Sequence, residues 1–152
     1  MAEQDETLGP RFLAALEKRR TGDVTGAEED LKEVLLAEPR LPEPRLELGH
    51  IYLEAGRIPE AESEIREGLR WLEQGGQWVE DISENQALSL AHGLLGEVLR
   101  ARCESDEAVF GDEEDFKALL KESRTSFEKA AKLDPENEYA AHHAFFLGLE
   151  EE

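Results

Sequence analysis

Four histidines, one cysteine and an excess of carboxylates are the groups in this 152-residue sequence that could do chemistry. His142 and His143 are adjacent, so on a helix their side chains diverge by about 100° and do not form the one-face pair of a zinc motif. Glu47-x-x-His50 and Glu138-x-x-x-His142 would each share a helix face, but such spacings are common in a chain with 37 acidic residues. Cys103 is the single cysteine, so it can form no internal disulfide, and no ligand cluster surrounds it in sequence. The stretch EAGRIPEA, Glu54 to Ala61, has one glycine, no following lysine or serine and no preceding strand. It therefore lacks the backbone cradle and the phosphate-reaching lysine of a nucleotide loop. No pair of carboxylates stands apart from the solvated acidic faces. The expectation is a protein that is not an enzyme, with no cofactor and no metal.

The 17 basic and 37 acidic residues give a formal charge of −20, a field that repels phosphate backbones. Nucleic acid and anionic membrane are accordingly excluded as expected partners. The N-terminus, MAEQDETLGPRF, has neither the basic start nor the apolar core of a secretory signal, and no run approaches the roughly 18 apolar residues of a membrane span. A soluble, cytoplasmic chain is expected, with enough hydrophobic residues (39%) for one modest core.

Helical spacing of apolar residues recurs along the chain and strand-like alternation is nearly absent, which predicts an all-α fold. Sliding the sequence along itself by one period of about 34 residues lays Gly22 on Gly56, Ala27 on Ala61, Leu31 on Ile65, Val34 on Gly68, Leu35 on Leu69 and Ala15 on Gly49. A helix, a tight turn and a second helix within one such period resembles the tetratricopeptide repeat family. The resemblance is clearest from Leu48 to Leu69, where LGHIY gives the large, small and aromatic positions of a first helix. AGR then gives the turn, and Ala61, Ile65, Gly68 and Leu69 give the second helix. Repeat one, about 8–41, keeps Gly22, Ala27, Leu31, Val34 and Pro39 but has Lys18 where repeat two, about 42–75, has Tyr52.

A third unit, about 84–137, is stretched: the interval from Gly96 to Ser123 is more than twice that from Gly49 to Ala61. The insertion is placed in CESDEAVFGDEED, about 102–113. Another insertion, about 75–87, opens with Gly75-Gly76 as a helix stop and closes with a capping box from Ser83 to Gln86. EYAAHHAFFLGLE, from Glu138, is read as a capping helix over about 137–150. Pro59 fits a helix start, and Pro39 and Pro135 follow helix ends. Gly56 is read as the turn residue, and Gly49 and Gly68 as small positions where two helices approach. The predicted helices run roughly 8–20, 24–38, 43–55, 58–73, 84–103, 113–133 and 137–150.

The resemblance implies a right-handed superhelix of antiparallel helix pairs, with about three repeats plus the capping helix. It also implies a concave wall formed by the first helices. Aligning them on Ala15, Gly49 and Gly96 places Phe12, Leu13, Leu16 and Arg19 on that wall, then Leu46, Glu47, His50, Leu53 and Glu54, then Leu90, Leu94, Glu97 and Arg100. His143 and Phe146 would come from the capping helix. A one-residue shift of register would turn Phe12, Leu13 and Leu16 into the core, so core and groove remain alternatives for those three. Three or four buried Leu or Phe anchors at about 1.5–3 kcal/mol each are needed, before entropy losses, to reach micromolar binding.

The implied function is an adaptor that binds an extended or helical segment of another protein, rich in apolar and basic residues. The alternatives are a secretion-type chaperone for apolar client segments and a self-associating structural element, hence a homo-oligomer. The lysine and asparagine clamp by which one branch of the family holds a C-terminal carboxylate is absent: Phe12, Leu16, Glu47, Leu90 and Leu94 occupy its places. Long insertions often carry function. Trp71 is expected in the core beside Leu69, and Trp78 is read either as an exposed recognition aromatic or as folded back over repeat two.

Overall fold

The computed structural model describes residues 7–137. The expected capping helix from Glu138 onward, with His143 and Phe146, lies outside the described residues. Seven helices follow in order among those described: α1 (Leu8–Arg20), α2 (Val24–Ala37), α3 (Pro42–Glu54), α4 (Ile58–Glu73), α5 (Glu84–Cys103), α6 (Asp106–Val109) and α7 (Glu113–Leu133). Helix α1 packs on α2, α3 on α4 and α5 on α7, while α2 against α3 and α4 against α5 join successive pairs.

The first two turns are the same motif, repeated in successive helix pairs. Gly22 and Gly56 have φ of 97° and 78°, a region that a Cβ disfavours. In each, the N–H after the glycine reaches back to the helix end: Asp23 to the Lys18 carbonyl at 2.7 Å and Arg57 to the Tyr52 carbonyl at 2.8 Å. These bonds satisfy carbonyls that a helix terminus leaves open. Asp23 then caps α2 by accepting the Gly26 N–H. Pro59 lies in the first turn of α4, where its missing N–H costs nothing. Helix α5 begins with the expected capping box between Ser83 and Gln86, in which each side chain bonds the other's backbone N–H.

Glycines set how closely paired helices approach. A Cβ on Gly49 would lie 2.6 Å from Ile65 Cγ1, one on Gly68 2.9 Å from Leu46 Cδ2, and one on Gly96 2.9 Å from the Phe127 ring. Ile65 and Phe127 are fully buried, so packing against them offsets the roughly 1 kcal/mol by which glycine weakens a helix. Repeat one closes differently. Where Tyr52 buries its ring under the Arg57 guanidinium, Lys18 instead pairs with Asp30 at 2.7 Å across α1 and α2.

The third pair has its own core of Cys103, Leu120, Phe127 and Ala130. Two buried serines tie its helices: Ser123 Oγ donates to the Gly96 carbonyl at 2.8 Å and Ser89 Oγ to the Ala130 carbonyl at 2.7 Å. The insertion between them folds partly as α6, a turn of helix capped by Ser105 that the sequence pattern did not reveal.

Trp71 departs from expectation, and Trp78 takes the folded-back one of its two readings. Trp71 is only half-buried, held between the guanidinium groups of Arg40 and Arg70 at 5.4 and 4.3 Å, and the buried residue of that turn is Leu72. The stripe Ile65, Leu69, Leu72 faces the core, and Trp71 lies one helical step, about 100°, away from it. Trp78 folds back, but onto repeat one, packing against Leu8, Val34 and Leu41 and tilting its ring at 55° to Phe12, 5.4 Å between centroids.

Candidate functional site

The inner faces of α1, α3 and α5 and the connection between α4 and α5 enclose an open cavity of about 550 Å³. That lies within the range of ligand clefts. Phe12 and Leu16 come from α1, and Glu43, Leu46, Glu47 and His50 from α3. Ala87, Leu90, Gly93, Leu94 and Glu97 come from α5, with Leu72, Val79, Ile82 and Asn137 completing the lining. The α3 contribution is one helical stripe, since residues three, four and seven apart share a face. The α5 contribution is almost wholly apolar, and Leu90 at its lip is 57% exposed.

Eight of the expected wall residues therefore meet in one cavity: Phe12, Leu16, Leu46, Glu47, His50, Leu90, Leu94 and Glu97. The core-or-groove alternative has a mixed answer. Phe12 is 6% exposed and Leu46 8%, so both are core residues whose outer edge forms the cavity wall. Leu13, one step round from Phe12, points to solvent at 65% exposure and does not line the cavity. Leu53 does not line it either; it lies one turn beyond His50 and packs against the core. Arg100 is half-buried outside it. Arg19 and Glu54 line an adjoining hollow with Leu16 and Val24. His143 lies outside the described residues.

Arg19 organises the junction between the two hollows. Its guanidinium donates to Glu47 Oε2 at 3.2 Å, to Glu54 Oε1 at 2.8 Å and to His50 Nδ1 at 2.8 Å. A guanidinium only donates, so the imidazole nitrogen is the acceptor in this contact. The Arg19 hydrogen bond holds the Glu54 carboxyl below its ordinary range, with partial burial opposing and the Arg19 charge adding. His50 is thus a rim residue fixed by an arginine, with no nucleophile beside it in the cavity lining.

Sequence reasoning missed Glu43, Val79 and Ile82. Glu43 lies four residues before Glu47 and seven before His50, so extending the α3 stripe by one turn finds it. Val79 and Ile82 sit in an irregular segment with no period to read. That segment is anchored by Glu43 Oε2, which accepts the N–H groups of Trp78 and Val79 at 2.9 Å each. Gln77 adds to the anchorage by donating to the carbonyls of Val79 and Ile82.

Among the described residues no group of three or more His, Cys, Asp or Glu side chains could hold a metal ion, and no helix is long and apolar enough to cross a membrane. A second hollow, near α6 and the start of α7, is lined by Arg102, Asp112, Asp115, Phe116 and Glu122 among others and carries no His or Cys.

The tetratricopeptide repeat family matches residues 19–78, a segment that runs from the end of α1 through α2, α3 and α4 to Trp78. Repeats of this family generally mediate protein–protein interactions and are typically non-catalytic. No curated protein matches the sequence. Among solved structures, a mutant of the Thermobaculum terrenum O-GlcNAc transferase is similar with a TM-score of 0.70 and 20% identity, over 97% of this chain. The match spans 23% of the transferase chain, and at this identity it shows a common fold alone. The family is thus matched from the end of α1 through α4, and over nearly the whole chain the fold is like that of the transferase's matching portion.

Proposed function

We propose that this protein is a non-enzymatic adaptor whose concave groove receives a segment of another protein. The observation that carries the reading is the cavity itself: apolar side chains of α1, α3 and α5 converge on one hollow, with Leu90 left more than half exposed at its edge. Burying such a side chain under a partner gains about 1.5–3 kcal/mol, so a few anchors give useful affinity. The acidic rim of Glu47 and Glu97 favours basic residues flanking those anchors.

Leu90 and Leu94 are the informative positions, because Leu46 packs on Gly68 and its replacement would disturb the fold. A photo-crosslinking residue at Leu90 should attach to a segment of the captured partner. The Leu90→Glu, Leu94→Glu double variant should keep native helicity and lose that partner by about tenfold or more in affinity. A folded double variant that holds its partner as tightly as the wild type removes the groove from the account.

A further inference from the structure

We infer that Glu43 is a receptor for one positively charged side chain, a lysine or arginine of the segment bound in the groove. The inference rests on the groove reading and adds to it the chemistry of one ligand group. Glu43 Oε2 is held by the N–H groups of Trp78 and Val79, which fixes the carboxylate on the cavity wall instead of leaving it to swing in solvent. Its other oxygen, Oε1, is closed off from solvent and has no hydrogen-bond partner among the described residues.

A carboxylate oxygen shut away without a donor is costly, and a charged donor offsets that cost more strongly than a neutral one. The protein supplies no such donor from the cavity lining, which among the described residues contains no lysine or arginine. Arg19, at the junction of the hollows, is committed to Glu47, His50 and Glu54. The matching ligand has an apolar stem, to lie along Leu90 and Leu94, and a protonated nitrogen at its end. A lysine or arginine side chain has that form. Val79 and Ile82 line the same cavity beside Glu43, so the nitrogen reaches Oε1 past their side chains.

Two probes of equal length, n-octylammonium chloride and n-octanol, separate the charge from the stem. Titration of each into the full chain is followed at the amide signals of Val79 and Leu90. The ammonium should bind about tenfold tighter or more. Glu43→Gln keeps the shape and an acceptor for the backbone N–H groups and should abolish the preference, whereas Glu80→Gln, at an exposed acid, should preserve it. Equal affinities on the wild type overturn the role of Glu43 while leaving an apolar groove, and so does a preference that survives Glu43→Gln. Silence at both amides with both probes overturns the role of Glu43 and the groove reading together. The wild-type comparison decides even where the variant does not fold.

Discussion

The α3–α4 and α5–α7 pairs solve one packing problem with different materials. Helices of 13 and 16 residues turn tightly at Gly56 in the former, while helices of 20 and 21 residues are joined through α6 in the latter. Each pair seats a large buried side chain on a glycine of its first helix, Ile65 on Gly49 and Phe127 on Gly96. In the α5–α7 pair that contact is a single rigid ring, braced by two buried serines. The difference teaches that the close approach is the fixed requirement and that the turn can be replaced.

Phe127→Ala should cost about 3–5 kcal/mol, the range for emptying a buried aromatic site. Urea unfolding measures the loss, and amide exchange should accelerate in α7 and the facing part of α5 while α2 and α3 stay protected. Uniform acceleration would mean that the pairs unfold as one unit. Next come Gly49→Ala and Gly96→Ala, where overpacking of about 1–3 kcal/mol is only partly offset by about 1 kcal/mol of helix propensity. Ile65 Cγ1 is the closer clash, at 2.6 Å against 2.9 Å, and sits on a β-branched side chain with little freedom at χ1, so Gly49→Ala should be the more destabilising. Equal midpoints for the two variants would break the comparison.

Ser123→Ala should cost about 1 kcal/mol, the usual net value of one such hydrogen bond, and Ser89→Ala more than that, because Ser89 Oγ also accepts from Asn137 Nδ2 at 3.1 Å. Both are read from chemical denaturation. The smallest effect concerns pH. Burial pushes the His92 imidazole below its ordinary range, with the Lys129 charge adding and Glu73 opposing. The unfolded chain then takes up the proton more readily, so this contribution is complete above about pH 6.5 and is lost as pH falls through the folded-state value. His92→Phe should flatten that part of the stability profile, and an unchanged profile would detach His92 from it.

The helices were legible because their ends are written in local chemistry. Gly22, Gly56, Pro59 and the Ser83–Gln86 box each act within a few residues, and the repeat offset showed which helices pair. The cavity lining was legible where it rests on helical stripes, as at Glu47 and His50 or Leu90 and Leu94. It failed at Leu13 by a single helical step. It failed at Val79 and Ile82 because their placement depends on the Glu43 carboxylate, a whole helix pair earlier in the chain. Trp78 was hard for the same reason: its seat against Leu8, Val34 and Leu41 is a tertiary contact with no sequence period to announce it.

The single cysteine gives the α5–α7 pair a chemical clock. Cys103 ends α5, is 5% exposed and shares its core with Phe127. A thiol reagent can reach it only when that end of the helix pair opens. Its labelling rate then reports the opening equilibrium directly, without any engineered probe.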